Sequence, residues 1–252
     1  MIHLHFEDDL AVLRLEHGKA NALDLELFEA IVVALDDVEA RDAAAVVLTG
    51  TGKSFSAGLE LFRVVDGGPA YLEALLPALD RAVLRLLTFP RPVVAAVNGH
   101  AIAGGCLVAL ACDWRLGVAG GGAKLGVPEL VVGVTFPSLP FELLRATVPP
   151  GLFAPLVYRG RLLAHEEALA AGLLHELAAP EELEAAARTA ARELAQRPRA
   201  AFALTKELER APLLAAWQAT RAHDPRILEL WNDPATTATI RAYLERTLGR
   251  SR

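Results

Sequence analysis

The chain has 252 residues, 53% of them hydrophobic, with 25 Lys+Arg against 31 Asp+Glu, a formal net charge of -6. So much apolar content with so modest a charge excludes a disordered or collagen-like chain. The acidic balance argues against nucleic acid as the partner, because neutralising a phosphate backbone needs a basic face.

The length falls between one and two domains, enough for a sizeable core. Alternation in His3 to His5 and in Leu10 to Leu15 predicts two short strands joined at Asp8-Asp9. The segment Asp24 to Arg41 has helical spacing, with Leu27, Ile31, Ala34, Leu35 and Val38 on one stripe. AAVVLTG follows as a compact apolar run of strand length. The order then repeats: a helix from Ala70 to Leu87, Pro90 and Pro92 as breakers, and the strand Val93 to Val97. Pro92 to Cys112 is 21 residues without Asp, Glu, Lys or Arg, long enough to span a bilayer. Asn98-Gly99-His100 and Gly104-Gly105 interrupt it, however, and each glycine would cost a continuous helix about 1 kcal/mol. It reads better as a strand, a polar turn and a buried helix starting near Gly104. DWRLGV supplies a third strand. From about Ala164 onward the pattern is helical, broken at Pro180, Pro198, Pro225 and Pro234. Strands alternating with helices predict an α/β core with mostly parallel pairing.

Cys106 and Cys112 form neither a disulfide framework nor a metal-ligand pattern, so a reducing, intracellular compartment is the default. The acidic start MIHLHFEDDL shows no secretory signal, and LGRSR at the other end carries no recognised address, a peroxisomal one included. A cytoplasmic location and no membrane partner are expected. No His/Cys/Asp/Glu cluster has ligand spacing, so no metal is expected.

Two places could carry chemistry. In TGKSFSAGLEL the small residues Ser56, Ala57 and Gly58 would let backbone approach a ligand and leave N–H groups near Leu59 free to donate. Alone this reads as an ordinary glycine turn after a strand. In VNGHAIAGG a helix begins at Gly104-Gly105 straight after a turn, where the first N–H groups lack intrahelical partners. Two such turns could aim one N–H apiece at a shared anion as an oxyanion hole.

VVLTGTGKSFSAGLEL, RPVVAAVNGHAIAGGCLVALACDWRL and GVPELVVGV, in that order, resemble the crotonase (enoyl-CoA hydratase/isomerase) superfamily. The similarity runs from KANALDLELF near Lys19 to the tail with AYLERTL. Within the superfamily, AGGCLVALACD, FSAGLEL and the tail are most similar to mitochondrial-type 3,2-trans-enoyl-CoA isomerases. The resemblance implies a crotonase-like ββα spiral core over residues 1–190. A C-terminal helical region used in trimerisation would cover 191–252, giving a homotrimer or a dimer of trimers.

It also implies oxyanion-hole donors at the backbone N–H of Leu59 and of Gly104. One hydratase glutamate would fall on Leu107 and is missing. The second falls on Glu129, and a further acid used by dienoyl-CoA isomerases falls on Pro137. One carboxylate is left, enough to move a proton from C2 to C4 of a 3-enoyl thioester, whereas hydration divides its work between two. Val127, Leu130 and Val131 are expected to desolvate Glu129 and raise its pKa.

Ala57, Gly58 and Gly105 are expected along the bound thioester. Lys19 and Ala20 match a segment lining the adenine pocket, and Lys206 lies in a tail region often near the CoA phosphates; both lysines are equally plain surface charges. Leu61, Phe62, Leu76, Phe136, Leu139 and Trp231 are candidate acyl-pocket walls, or simply core. His100 reads as structural, Glu60, Asp66 and Glu142 as solvated charges, and the two cysteines as apolar fillers.

The expected activity is thus an enoyl-CoA delta-isomerase of fatty acid or acyl-CoA degradation, acting on an acyl-CoA thioester. It would need no separate cofactor, because coenzyme A is part of the substrate. Another single-carboxylate reaction (weak hydration, decarboxylation or thioester hydrolysis) and a non-catalytic acyl-CoA binding protein stay open.

Overall fold

In the computed structural model, which describes residues 1–248, strand β1 (Ile2–Glu7) pairs antiparallel with β2 (Leu10–Leu15) across a turn at Asp8, whose φ is 55°. Helix α1 (Leu25–Ala40) starts where Asp24 accepts a hydrogen bond from Leu27 N–H at 2.9 Å, a side-chain cap for one orphan donor. Its expected stripe, with Phe28 added, is buried, at about 1.5–3 kcal/mol for each large apolar side chain.

From here the chain repeats one unit, a long strand, a short strand and a helix. The first unit is β3 (Ala45–Gly50), β4 (Ser54–Ser56) and α2 (Leu61–Thr88). The second is β5 (Val93–Val97), β6 (His100–Ile102) and α3 (Gly104–Ala111). The third is β7 (Trp114–Val118), β8 (Lys124–Gly126) and α4 (Glu129–Val132). The uncharged stretch is therefore the whole second unit. Among the described residues no helix is long and apolar enough to cross a membrane.

Helices α5 (Ser138–Thr147) and α6 (Pro150–Val157), strand β9 (Leu163–Ala164) and helix α7 (His165–Ala170) follow. Then come β10 (Glu176–Ala178), α8 (Leu183–Ala195), α9 (Arg199–Thr220), a 3-10 turn at Arg221–His223, α10 (Asp224–Asn232) and α11 (Pro234–Leu248). The long strands build a six-stranded sheet in the order β1-β2-β3-β5-β7-β10, parallel except at β1. The short strands build a second sheet, β4-β6-β8-β9. Splitting each unit between two sheets winds the chain forward as a spiral, the ββα core expected.

Several expectations need correction. The second helix starts at Leu61, not Ala70. Gly67-Gly68-Pro69 does break the helical path, with Gly68 at φ 63° and ψ -161°, but a helical turn capped by Glu60 and packed through buried Val64 precedes the kink. The region after Ala164 is not purely helical, because β10 pairs with β7 and completes the large sheet. Pro225 opens no gap: it stands in the first turn of α10, where its missing N–H costs nothing. The expected division at 190/191 falls inside α8, whose Leu183, Ala187 and Ala191 pack on the large sheet. Of the C-terminal LGRSR only Leu248 lies within the described residues.

Lys206 is not a surface cation. It is buried, donating to the Leu86 carbonyl at 3.1 Å and to Asp113 Oδ2 at 2.9 Å. Asp113 in turn accepts from Val93 N–H at 2.8 Å and has Arg210 at 3.8 Å. The group pins α9 to the end of α2 and to the starts of β5 and β7, and burial holds the ammonium pKa below its usual range. Lys206→Met should therefore lower stability by about 3 kcal/mol in urea unfolding, as removal of one member of a buried pair does, with acyl-CoA affinity unchanged.

Candidate active site

A cavity of about 430 Å³ lies between the ends of the repeats. One rim is the turn after β4. Ala57 N–H donates to Ala20 O, Leu23 N–H to Gly58 O and Glu60 N–H to Leu23 O, which stitches residues 20–23 to 57–60. The other rim is the turn after β6, where Ala103 N–H donates to Gly126 O. This bonding leaves Leu59 N–H and Gly104 N–H without an acceptor among the described residues.

The residue before each of these donors has positive φ: Gly58 at 86° and Ala103 at 52°. Such a kink turns the next N–H away from the ladder, and a non-glycine residue holds it only at a cost of about 1–3 kcal/mol. The two turns touch directly. A Cβ on Gly58 would lie 2.7 Å from the Ala103 Cβ, and one on Gly105 would lie 2.3 Å from Ser56 O. Gly105 thus sets the close approach of α3 to β4, and Gly104 begins α3 with its dipole directed at the cavity.

Leu59, Gly104 and Glu129 all line this cavity, with Ala20, Ala57 and Phe136 from the expected substrate contacts. Gly58 and Gly105 stand behind the wall as spacers. Lys19 lies in an exposed turn outside the cavity, and Lys206 is in the buried pin described above. Of the candidate acyl walls, Leu61, Phe62 and Trp231 are present; Leu139 is fully buried core, and Leu76 faces a second cavity across α2.

Glu129 opens the short helix α4, whose end is closed by Gly133 in left-handed conformation. The side chain is buried, and its Oε2 has no hydrogen-bond partner. Burial penalises the charged form and, outweighing a hydrogen bond from the residue's own backbone N–H, pushes the carboxyl pKa up to about 8. The direction matches expectation, but two of its causes do not. Leu130 and Val131 point outward, 44% and 45% exposed; Leu107, Val132, Val134 and Phe136 are the apolar groups beside Glu129 on the cavity wall. Leu107 and Pro137 stand in that wall without charge, so neither contributes a second carboxylate.

Glu60 is not a plain solvated charge: it borders the cavity and caps α2, accepting from Phe62 N–H at 3.3 Å. Glu142 is buried and paired with Arg145 at 3.1 Å. Asp66 is exposed and lies 3.5 Å from Arg241, and His100 accepts from Lys124 N–H at 3.2 Å, joining β6 to β8. Both cysteines are free and buried, which raises their thiol pKa values.

Sequence reasoning missed Asn21 and Ala103, and took Asn98 only as part of a polar turn. Asn21 is fully buried and donates to the Ser54 carbonyl at 3.0 Å, fixing the 20–23 segment on β4. Asn98 accepts from Gly50 N–H at 2.9 Å, locking the turn after β5; its Asn-Gly pair is a readable turn signal. Ala103 carries strain that no sequence pattern announces. Tyr243 and Leu244 of α11 and Trp231 of α10 close the far side of the same chain's cavity.

The enoyl-CoA hydratase/isomerase family model matches residues 5–248. A probable enoyl-CoA hydratase, EchA17, of Mycobacterium avium is 34% identical over 219 residues, covering 83% of this chain and 84% of that protein. The crystal structure of the probable enoyl-CoA hydratase EchA3 from Mycobacterium tuberculosis superposes with a TM-score of 0.85 at 31% identity, over 91% of this chain and 96% of that one. That of human mitochondrial delta3-delta2-enoyl-CoA isomerase superposes with a TM-score of 0.93 at 26% identity, over 98% of each chain. Spiral core, paired N–H turns and buried carboxylate are thus accompanied by similarity along nearly the whole chain, and the protein belongs to the enoyl-CoA hydratase/isomerase family.

Proposed function

We propose that the protein is a 3,2-trans-enoyl-CoA isomerase working with one acid/base, Glu129. The observation that carries this reading is the buried Glu129 carboxylate, its Oε2 without a partner, in a cavity where the other candidate positions hold Leu107 and Pro137. Glu129 carboxylate takes a proton from C2 of a 3-enoyl thioester. The C2–H electrons become the C1–C2 double bond of a dienolate, and negative charge collects on the thioester oxygen between Leu59 N–H and Gly104 N–H. The protonated Glu129 then returns the proton to C4, leaving the double bond at C2–C3. No water is consumed and no second base is required.

The substrate in this reading is an acyl-CoA thioester, handled in the cytoplasm by a homotrimer or a dimer of trimers. Leu204 and Leu208, one turn apart on α9 and 54% and 65% exposed, support such an assembly.

Incubation with 3-hexenoyl-CoA should yield the conjugated 2-enoyl thioester, followed by its ultraviolet absorbance. A protein that hydrates crotonyl-CoA but leaves 3-hexenoyl-CoA untouched overturns the reading. Hydration is the second reading, favoured by Glu60 at the same cavity and by the names of the relatives. Because Glu129 must be ionised to act as the base, kcat/KM for isomerisation should rise about tenfold per pH unit below a midpoint near 8 and level off above it.

A further inference from the structure

Helix α4 cannot hold Glu129 in place by itself. It has four residues and no side-chain cap at its start, and only Val132 is buried beside Glu129, with Val131 resting on Gly160 and Leu130 turned outward; an isolated turn of helix is unstable. The segment that follows adds the backbone hold, where Gly133 N–H and Val134 N–H both donate to Glu129 O at 3.0 Å.

That segment is clamped from the C-terminal arm. Trp231 of α10, 3% exposed, donates its Nε1–H to the Thr135 carbonyl at 3.0 Å. An indole N–H is a donor only and needs an acceptor when buried, so this one bond sets how α10 meets the loop. Thr239 of α11 covers Gly133 so closely that a Cβ there would lie 2.5 Å from Thr239 Cγ2. We infer that Trp231 is a positioning residue for Glu129, acting through the Thr135 carbonyl, with Thr239 on Gly133 as the second point of the clamp. The arm that closes the cavity thereby also aims its base, over a range where errors of about 0.5 Å matter. The inference rests on the reading of Glu129 as the base.

Trp231→Phe keeps the ring and removes the donor. Its effect is read without substrate, by carbon-13 NMR titration of the Glu129 carboxyl. The midpoint should fall by at least one pH unit from near 8, as a loosened turn admits water, and kcat for 3-hexenoyl-CoA should fall at least tenfold with KM within threefold. Thr239→Ser, at an exposed position and with its hydroxyl bond to the Ala235 carbonyl retained, should move the titration the same way by less. Purely structural packing would lower Tm and leave the Glu129 midpoint in place; a folded Trp231→Phe with wild-type titration and kcat overturns the inference. Should Trp231→Phe not fold, Thr239→Ser decides: a shifted midpoint supports the clamp and an unshifted one overturns it. A wild-type protein with no isomerase activity sinks the proposed reaction, whereas the titration reports on the clamp regardless.

Discussion

Glu129→Gln should lower isomerase turnover by about 10²–10⁴-fold, the usual contribution of a positioned acid/base, and should do so while improving stability at alkaline pH. The two effects share one cause. In the folded protein the carboxyl pKa is raised from 4.5 to about 8 by burial, so the native state holds a proton that the unfolded chain has released over most of that interval. Native stability therefore falls as pH rises from about 4.5 to about 8, and above that the full cost of a buried charge is present, on the order of a few kcal/mol. Glutamine never ionises. The stability of Glu129→Gln minus that of wild type should accordingly grow between pH 5 and pH 9 in urea unfolding, a comparison that cancels the fixed cost of burying an amide. Near-normal turnover would refute the catalytic assignment, and a gap independent of pH would refute the account of its burial. Acyl-CoA binding should persist, because the carboxylate acts on C2 and C4 and not on the nucleotide.

Gly58→Ala should lower kcat by about 10²–10³-fold, the loss seen when one oxyanion donor is displaced, with KM far less affected. At φ 86° an alanine is strained, and its Cβ would lie 2.7 Å from Ala103 Cβ and 2.9 Å from Ile102 O. The turn after β4 must back away from the turn after β6, and the Leu59 N–H moves with it. Stability should drop by about 1–3 kcal/mol. Gly120→Ala separates the two consequences: Gly120 also has positive φ, 69°, but nothing lies within 4 Å of its added Cβ. That variant should lose stability and keep kcat. Equal kcat losses in both variants would mean that strain, and not the contact between the turns, was responsible.

The parts legible in the sequence are those where one local rule dominates. The α1 stripe follows from 3.6-residue spacing and its start from Asp24, an ordinary N-cap. Glu129 could be placed because it sits in an ordered motif, and the missing second carboxylate because Leu107 stands a fixed step past Gly104. What stayed hidden depends on contacts distant in the chain. Strands of three residues such as β6 and β8 have too few positions to show alternation. Lys206 reads as any surface lysine until Asp113, 93 positions away, is seen beside it. Ala103 has the side chain of a helix former and the backbone of a strained turn. Leu130 and Val131 were expected to bury Glu129 from sequence adjacency, but one turn of helix points neighbours in different directions.

The side chains Trp231, Tyr243 and Leu244, which line the cavity opposite the two turns, belong to the same polypeptide as Glu129, Leu59 and Gly104. Base, both N–H donors and this wall thus travel on one chain, and gene dosage should act additively: in cells or refolded mixtures holding wild-type and Glu129→Gln chains together, total activity should track the wild-type fraction linearly. An inactive allele of this protein would then be recessive in its chemistry, because a sound chain keeps its own base beside its own pair of donors.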